Sequence, residues 1–167
     1  MKKILLQILI LGIGATSSFS QTKEPFYEQI AFDYFRVEIL TETQKSQKIK
    51  IELDNYFWAT QSDKKKIIKY FLNSNNRESD LTESLDFDKY GFPLNLKKDK
   101  RFKRKRFWNG NSPKIEISVP IEFKEQKVFI IIKLINKNKG KLYYLEMDKG
   151  GKVLNYCTDS YISMTIH

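Results

Sequence analysis

The groups that carry most hydrolytic and metal chemistry are scarce in this chain: one histidine, His167, and one cysteine, Cys157, stand in 167 residues. His167 is the final residue, and chain ends fray. Without an internal histidine there is no Ser-His-Asp or Cys-His relay, and a single cysteine rules out a Cys/His zinc set. No G-x-x-x-x-G-K-[ST] phosphate loop and no G-x-G-x-x-G turn occurs after residue 20, so no nucleotide and no other cofactor is expected. Carboxylates remain, since two suffice for glycoside hydrolysis and several for an oxygen-ligand metal site. Asp86, Asp88 and Gly91 begin like a calcium loop. Tyr90 takes a ligand position, however, and Lys97 stands where the bidentate glutamate belongs, so a solvated loop is expected and no metal site. Glu116 and Glu122 share parity on one alternating run and could line a cleft, although charges on the wet face of a strand are the plainer reading.

The unusual chemistry is electrostatic. Residues 97–106 hold Lys97, Lys98, Lys100, Arg101, Lys103, Arg104, Lys105 and Arg106 against one acid, Asp99. Of the net charge of +10, Lys2 and Lys3 carry two units and this segment seven, so the charge is local. Clustering, rather than a large total, is what builds a strong surface field. Phe102, Phe107 and Trp108 interleave with the run or follow it, a composition suited to holding phosphate or sulfate groups while an aromatic face stacks at an interface. These eight basic residues and Trp108 are the candidate polyanion-binding set. The competing reading pairs them with the upstream acids Glu78, Asp80, Glu83, Asp86 and Asp88, and makes Phe102, Phe107 and Trp108 anchors that dock a loop on a sheet.

The first twenty residues read as an export signal. Lys2 and Lys3 precede an apolar stretch, residues 4–13, interrupted by Gln7 and Gly12, and Ser18 and Ser20 suit cleavage before Gln21. The stretch is too short for a permanent bilayer span, and no later segment is long enough to be a transmembrane helix. No cysteine stands near the junction to take a lipid. A periplasmic or secreted location is therefore expected, with residues 21–167 as one domain large enough to bury a core. In that oxidising compartment the lone Cys157 can form no internal disulfide, and its place in a strand makes it a packing group.

The elements that must position the basic run follow from periodicity. Residues 25–40 carry apolar groups at spacings of three and four and read as a helix, with Pro25 in its first turn, against a rival strand beginning at Phe35. Residues 48–55 alternate as a first strand. Ser62 or Asp63 would cap a short helix running to Leu72, with Ile67, Ile68, Phe71 and Leu72 as its packing face. Ile115, Ile117, Val119, Ile121 and Phe123 fall on one side of an extended run that Pro120 marks as an edge or as two short strands. Residues 128–135 are apolar apart from Lys133 and read as a central strand buried on both faces. A turn around Gly140, a strand over 142–147, a second turn through Gly150 and Gly151, and a last strand over 153–162 complete the pattern. The expected fold is α+β: an N-terminal helix and a short second helix packed on an antiparallel sheet of about four to five strands with a C-terminal meander.

The segments 26–35, FYEQIAFDYF, and 117–123, ISVPIEF, together with the Lys-, Asn- and Ile-rich composition and the Gln at the mature start, resemble small secreted proteins of Bacteroidetes and Flavobacteria. The resemblance implies export and an α+β fold, and carries no activity or site residues with it. The functional expectation is an exported, non-catalytic envelope or interaction protein. The alternatives are a polyanion-binding module acting through residues 97–106 on an anionic envelope lipid or polysaccharide, and an inhibitor- or immunity-type binder of a protein partner.

Overall fold

The computed structural model describes residues 25–40, 49–83, 94–96, 102–104, 113–124, 126–136 and 139–162. The first element is helix α1, Tyr27–Tyr34, in which Tyr27, Glu28, Ala31 and Phe32 are buried at the three- and four-residue spacing of one helical face. It continues as a π-helical turn, Phe35–Ile39, closed by a hydrogen bond from Leu40 N to Phe35 O. A helix rather than a strand thus occupies this stretch. Pro25 stands ahead of it instead of in its first turn, because Phe26, with non-helical φ −79° and ψ 85°, is the N-cap residue.

Eight strands among the described residues form one sheet: β1 (Ile49–Phe57), β2 (Leu81–Glu83), β3 (Phe102–Arg104), β4 (Lys114–Ser118), β5 (Ile121–Phe123), β6 (Lys127–Asn136), β7 (Lys139–Asp148) and β8 (Val153–Ile162). Strand β6 is its axis. Along one side it pairs with β7 from Lys127↔Asp148 to Asn136↔Lys139, and β7 pairs onward with β8. Along the other side it meets β5 near its start and β4 near its end. Beyond those, β2 runs antiparallel to β5, while β1 runs parallel to β4 and β3 parallel to β1. The α+β class and the C-terminal meander hold. The expected sheet of four to five antiparallel strands is corrected to eight, with two parallel pairings, because β2 and β3 are three-residue strands inside charged stretches.

The break at Pro120 has a consequence for every side chain around it. Ile117 registers with Ile132, but Ile121 registers with Phe129, so one extra residue sits in the β4–β5 side of the ladder. A one-residue offset turns side chains to the opposite face. Ile115 and Ile117 therefore pack on the α1 side with Ile130 and Ile132, and Ile121 and Phe123 pack on the other side with Phe129 and Ile131. The expectation that the five apolar residues share one face is corrected by this bulge. The ladder gap it opens is filled by the side chain of Ser118, whose Oγ accepts a bond from Ile131 N at 2.9 Å, while Val119 N donates to Phe57 O.

Helix α2, Gln61–Phe71, covers the second face with Ile67 fully buried and Ile68, Phe71 and Leu72 partly so. Its N-cap is Thr60, two or three residues earlier than the Ser62 or Asp63 expected, because Asp63 completes a capping box three residues on. With α1 on one face and α2 on the other, β6 is apolar toward both. Each fully buried isoleucine there contributes about 1.5–3 kcal/mol. The β7–β8 turn uses Gly151 at φ +84°, where a Cβ would lie 2.5 Å from Ile30 Cδ1 and 3.2 Å from Pro25 Cβ, so the turn sits against the start of α1. Gly140 belongs to β7 rather than to a turn, opposite Ile135 and beneath the Tyr161 ring. Among the described residues no helix is long and apolar enough to cross a membrane.

Candidate functional site

The basic segment enters the sheet through β3. Phe102 registers with Ile49, Lys103 with Lys50 and Arg104 with Ile51, and β3 ends the strand path that runs through β6, β4 and β1. The anchor is Phe102, buried and edge-on to Phe32 of α1 with ring centroids 5.1 Å apart. An edge-to-face pair of this kind is worth about 0.5–1.5 kcal/mol beyond its burial. The middle of the run is therefore part of the sheet rather than a free loop. Lys97, Lys98, Lys100, Arg101, Lys105, Arg106 and Trp108 lie outside the described residues, as does the calcium-like stretch from Asp86 to Gly91.

Register brings two further lysines to this end of the sheet. Lys50 of β1 registers with Lys103 on one side and with Lys114 on the other, so three lysine positions stand in a row across β3, β1 and β4. Adjacent strands lie about 4.8 Å apart. Sequence reasoning missed Lys50 and Lys114 because each sits singly in an ordinary alternating strand, and only the non-local parallel pairings align them.

Three of the upstream acids that could neutralise the run, Glu78, Asp80 and Glu83, make contacts elsewhere. Glu83 Oε2 lies 3.3 Å from Lys64 Nζ of α2, and its Oε1 accepts a short bond from Ala59 N. Glu78 lies 3.9 Å from Lys65, and Asp80 accepts from Arg77 N in its own 3-10 turn, Glu78–Asp80. Asp86 and Asp88 lie outside the described residues.

A second polar group gathers where α2 meets the sheet. Asp63, 5 % exposed, accepts from the Tyr144 hydroxyl, from Thr60 N and from Thr60 Oγ1. Burial, then the Asp63 charge and hydrogen bond, push the Tyr144 phenol far above its usual range. Nearby, Lys133 Nζ lies 3.4 Å from the Phe57 ring centroid, a cation–π contact, and Lys133 registers with Glu116. Burial lowers the Lys133 pKa, with Asp63 and Glu116 opposing that effect. Lys66 and Asp159 pair at 2.6 Å. This arrangement ties a helix to a sheet: its carboxylate is saturated with local donors.

Glu116 and Glu122, which parity alone places together, are separated by the Pro120 bulge. Glu116 faces the α2 side with Lys133, and Glu122 faces the α1 side, 3.6 Å from Lys149. They do not line a common cleft. Among the described residues no group of three or more histidine, cysteine, aspartate or glutamate side chains is placed to hold a metal ion. Cys157 registers with Tyr144 and is half-buried, and burial with the neighbouring Asp159 pushes its thiol up to about 11.

No protein-family model matches the chain, and no curated protein or solved structure matches it either.

Proposed function

We propose that this chain is an exported envelope protein that acts by binding rather than by catalysis, and that its binding surface is the basic end of the sheet. That surface comprises the run at 97–106 with Trp108, extended by Lys50 and Lys114. The ligand is a polyanion bearing phosphate or sulfate groups, supplied by an anionic envelope lipid or an acidic polysaccharide. The observation that carries this reading is the register of Lys103, Lys50 and Lys114 on three neighbouring strands. The local use of Glu78, Asp80 and Glu83 supports it further, since those acids are occupied by α2 and by their own turn.

The test is co-sedimentation of the purified protein with anionic lipid vesicles and, separately, its retention on immobilised acidic polysaccharide, each at low and high sodium chloride. Binding in either arm that weakens steeply with salt is expected, because each cation that meets a phosphate releases counterions. The arm that binds identifies the source. Absence of binding in both arms at low salt contradicts the proposal.

A further inference from the structure

The row of lysine positions does not stop at β4. Lys114 registers with Ile135 of β6, Ile135 with Gly140 of β7, and Gly140 with Tyr161 of β8. With positions 103 and 50 these residues form one line across six strands, and partners in register share a face of the sheet. It is the face on which α2 packs, since Ile135 has the parity of Ile131, and Gly140 that of Leu142 and Tyr144. Burial falls along that face: Ile131 and Tyr144 are fully buried, whereas Lys114, Ile135 and Tyr161 are partly exposed. Helix α2 reaches Asp159 through Lys66, one step short of the line.

The line has two halves of different chemistry. At β3, β1 and β4 it offers three lysine positions, and at β6, β7 and β8 it is uncharged. The uncharged half is shaped by the missing side chain of Gly140. A Cβ there would lie 2.7 Å from the Tyr161 hydroxyl oxygen and closer still to Cε1 and Cζ, so the tyrosine lies across β7 in the direction of Ile135. Acid and base border this apolar step: Glu116 registers with Lys133 in the neighbouring line, and burial, then the Glu116 charge, raise the Tyr161 pKa.

An acyl chain laid on Ile135 and Tyr161 would desolvate Glu116 and Lys133 without giving either a hydrogen bond, which is costly for charged groups. A sugar ring meets both demands. Its carbon-bound hydrogens pack on the aromatic ring, and its hydroxyls donate to the Glu116 carboxylate. The same carboxylate repels an anion from the Tyr161 end, which sets the polarity of the ligand: acidic groups toward β3, ring toward β8. We infer that the basic end of the sheet binds an acidic polysaccharide, its sulfate or phosphate groups on the lysine half of the line and a neighbouring sugar ring on Ile135, Gly140 and Tyr161. The assignment rests on the binding surface proposed above and narrows its ligand to carbohydrate.

The experiment titrates the full protein with a heparin oligosaccharide and, separately, with phosphatidylglycerol vesicles, across a range of sodium chloride, with circular dichroism confirming the fold of each variant. The parent is expected to bind the oligosaccharide. Tyr161→Leu should weaken that binding about tenfold and leave its salt slope unchanged, because no cation has been removed. Lys114→Ser should weaken it and flatten the slope. Gly140→Ala, which displaces the Tyr161 ring, should weaken binding as Tyr161→Leu does, and the two together should weaken it no further. A Tyr161→Leu variant that binds the oligosaccharide as tightly as the parent overturns the inference and leaves the binding surface standing, as does a parent that binds vesicles alone. A parent that binds neither overturns both.

Discussion

The hydroxyl of Tyr144 donates to Oδ1 of Asp63 at 3.0 Å, across 81 residues of sequence, and so ties the first turn of α2 to the centre of β7. Both groups are buried, and Oδ2 of the same carboxylate accepts from Thr60 N and Thr60 Oγ1. One side chain caps the helix and docks it.

Tyr144→Phe removes that donor while leaving the ring packing intact. Because the Asp63 oxygen then loses its partner in a buried place, a loss of about 1–3 kcal/mol is expected. Thr60→Ala, which removes the cap, should cost about 1 kcal/mol. Urea unfolding of both variants checks this, and a Tyr144→Phe variant as stable as the parent would show that the bond contributes nothing.

Alkaline conditions should destabilise the protein through its tyrosines. Burial raises Tyr56 from 10.0 to about 12, with Glu28 adding to it, and burial also raises Tyr144 and Tyr161. In the unfolded chain these phenols ionise near 10.0, while the folded state holds their protons to higher pH. Stability is therefore complete below pH 10.0 and falls as pH rises toward about 12. Urea midpoints measured across that window should decline, and a flat profile would contradict the burial of these hydroxyls.

The free thiol should be sluggish. With Cys157 pushed up to about 11 and half-buried opposite Tyr144, little thiolate exists at neutral pH. Labelling of the native protein by a thiol reagent should be slow at pH 7 and accelerate as pH approaches 11. Rapid labelling at neutral pH would overturn this.

Much of the architecture was legible because it is local. β6 and the turn at Gly151 follow from an apolar run and a glycine pair that need no distant partner to be read. The face of α2 was legible from Ile67, Ile68, Phe71 and Leu72. What stayed hidden depends on non-local pairing or on a single inserted residue. β2 and β3 are too short to show alternation and lie among charges. Parity placed Glu116 beside Glu122 because nothing in the residue types marks the one-residue offset at Pro120. The candidate site was half legible: the density of charge at 97–106 is visible directly, whereas the row of Lys103, Lys50 and Lys114 exists only through the parallel registers of β1.

The most direct test of the binding account is salt-dependent retention on immobilised polyanion, with the parent beside two variants. One carries Lys103→Thr and Arg104→Thr, since β-branched residues suit the β3 strand that these positions occupy. The other carries Ser at Lys97, Lys98, Lys100 and Arg101. The parent should elute latest, each variant should elute at lower sodium chloride, and the slope of log affinity against log salt should flatten in proportion to the charges removed. Equal elution of all three proteins, with circular dichroism showing equal folding, would contradict the account.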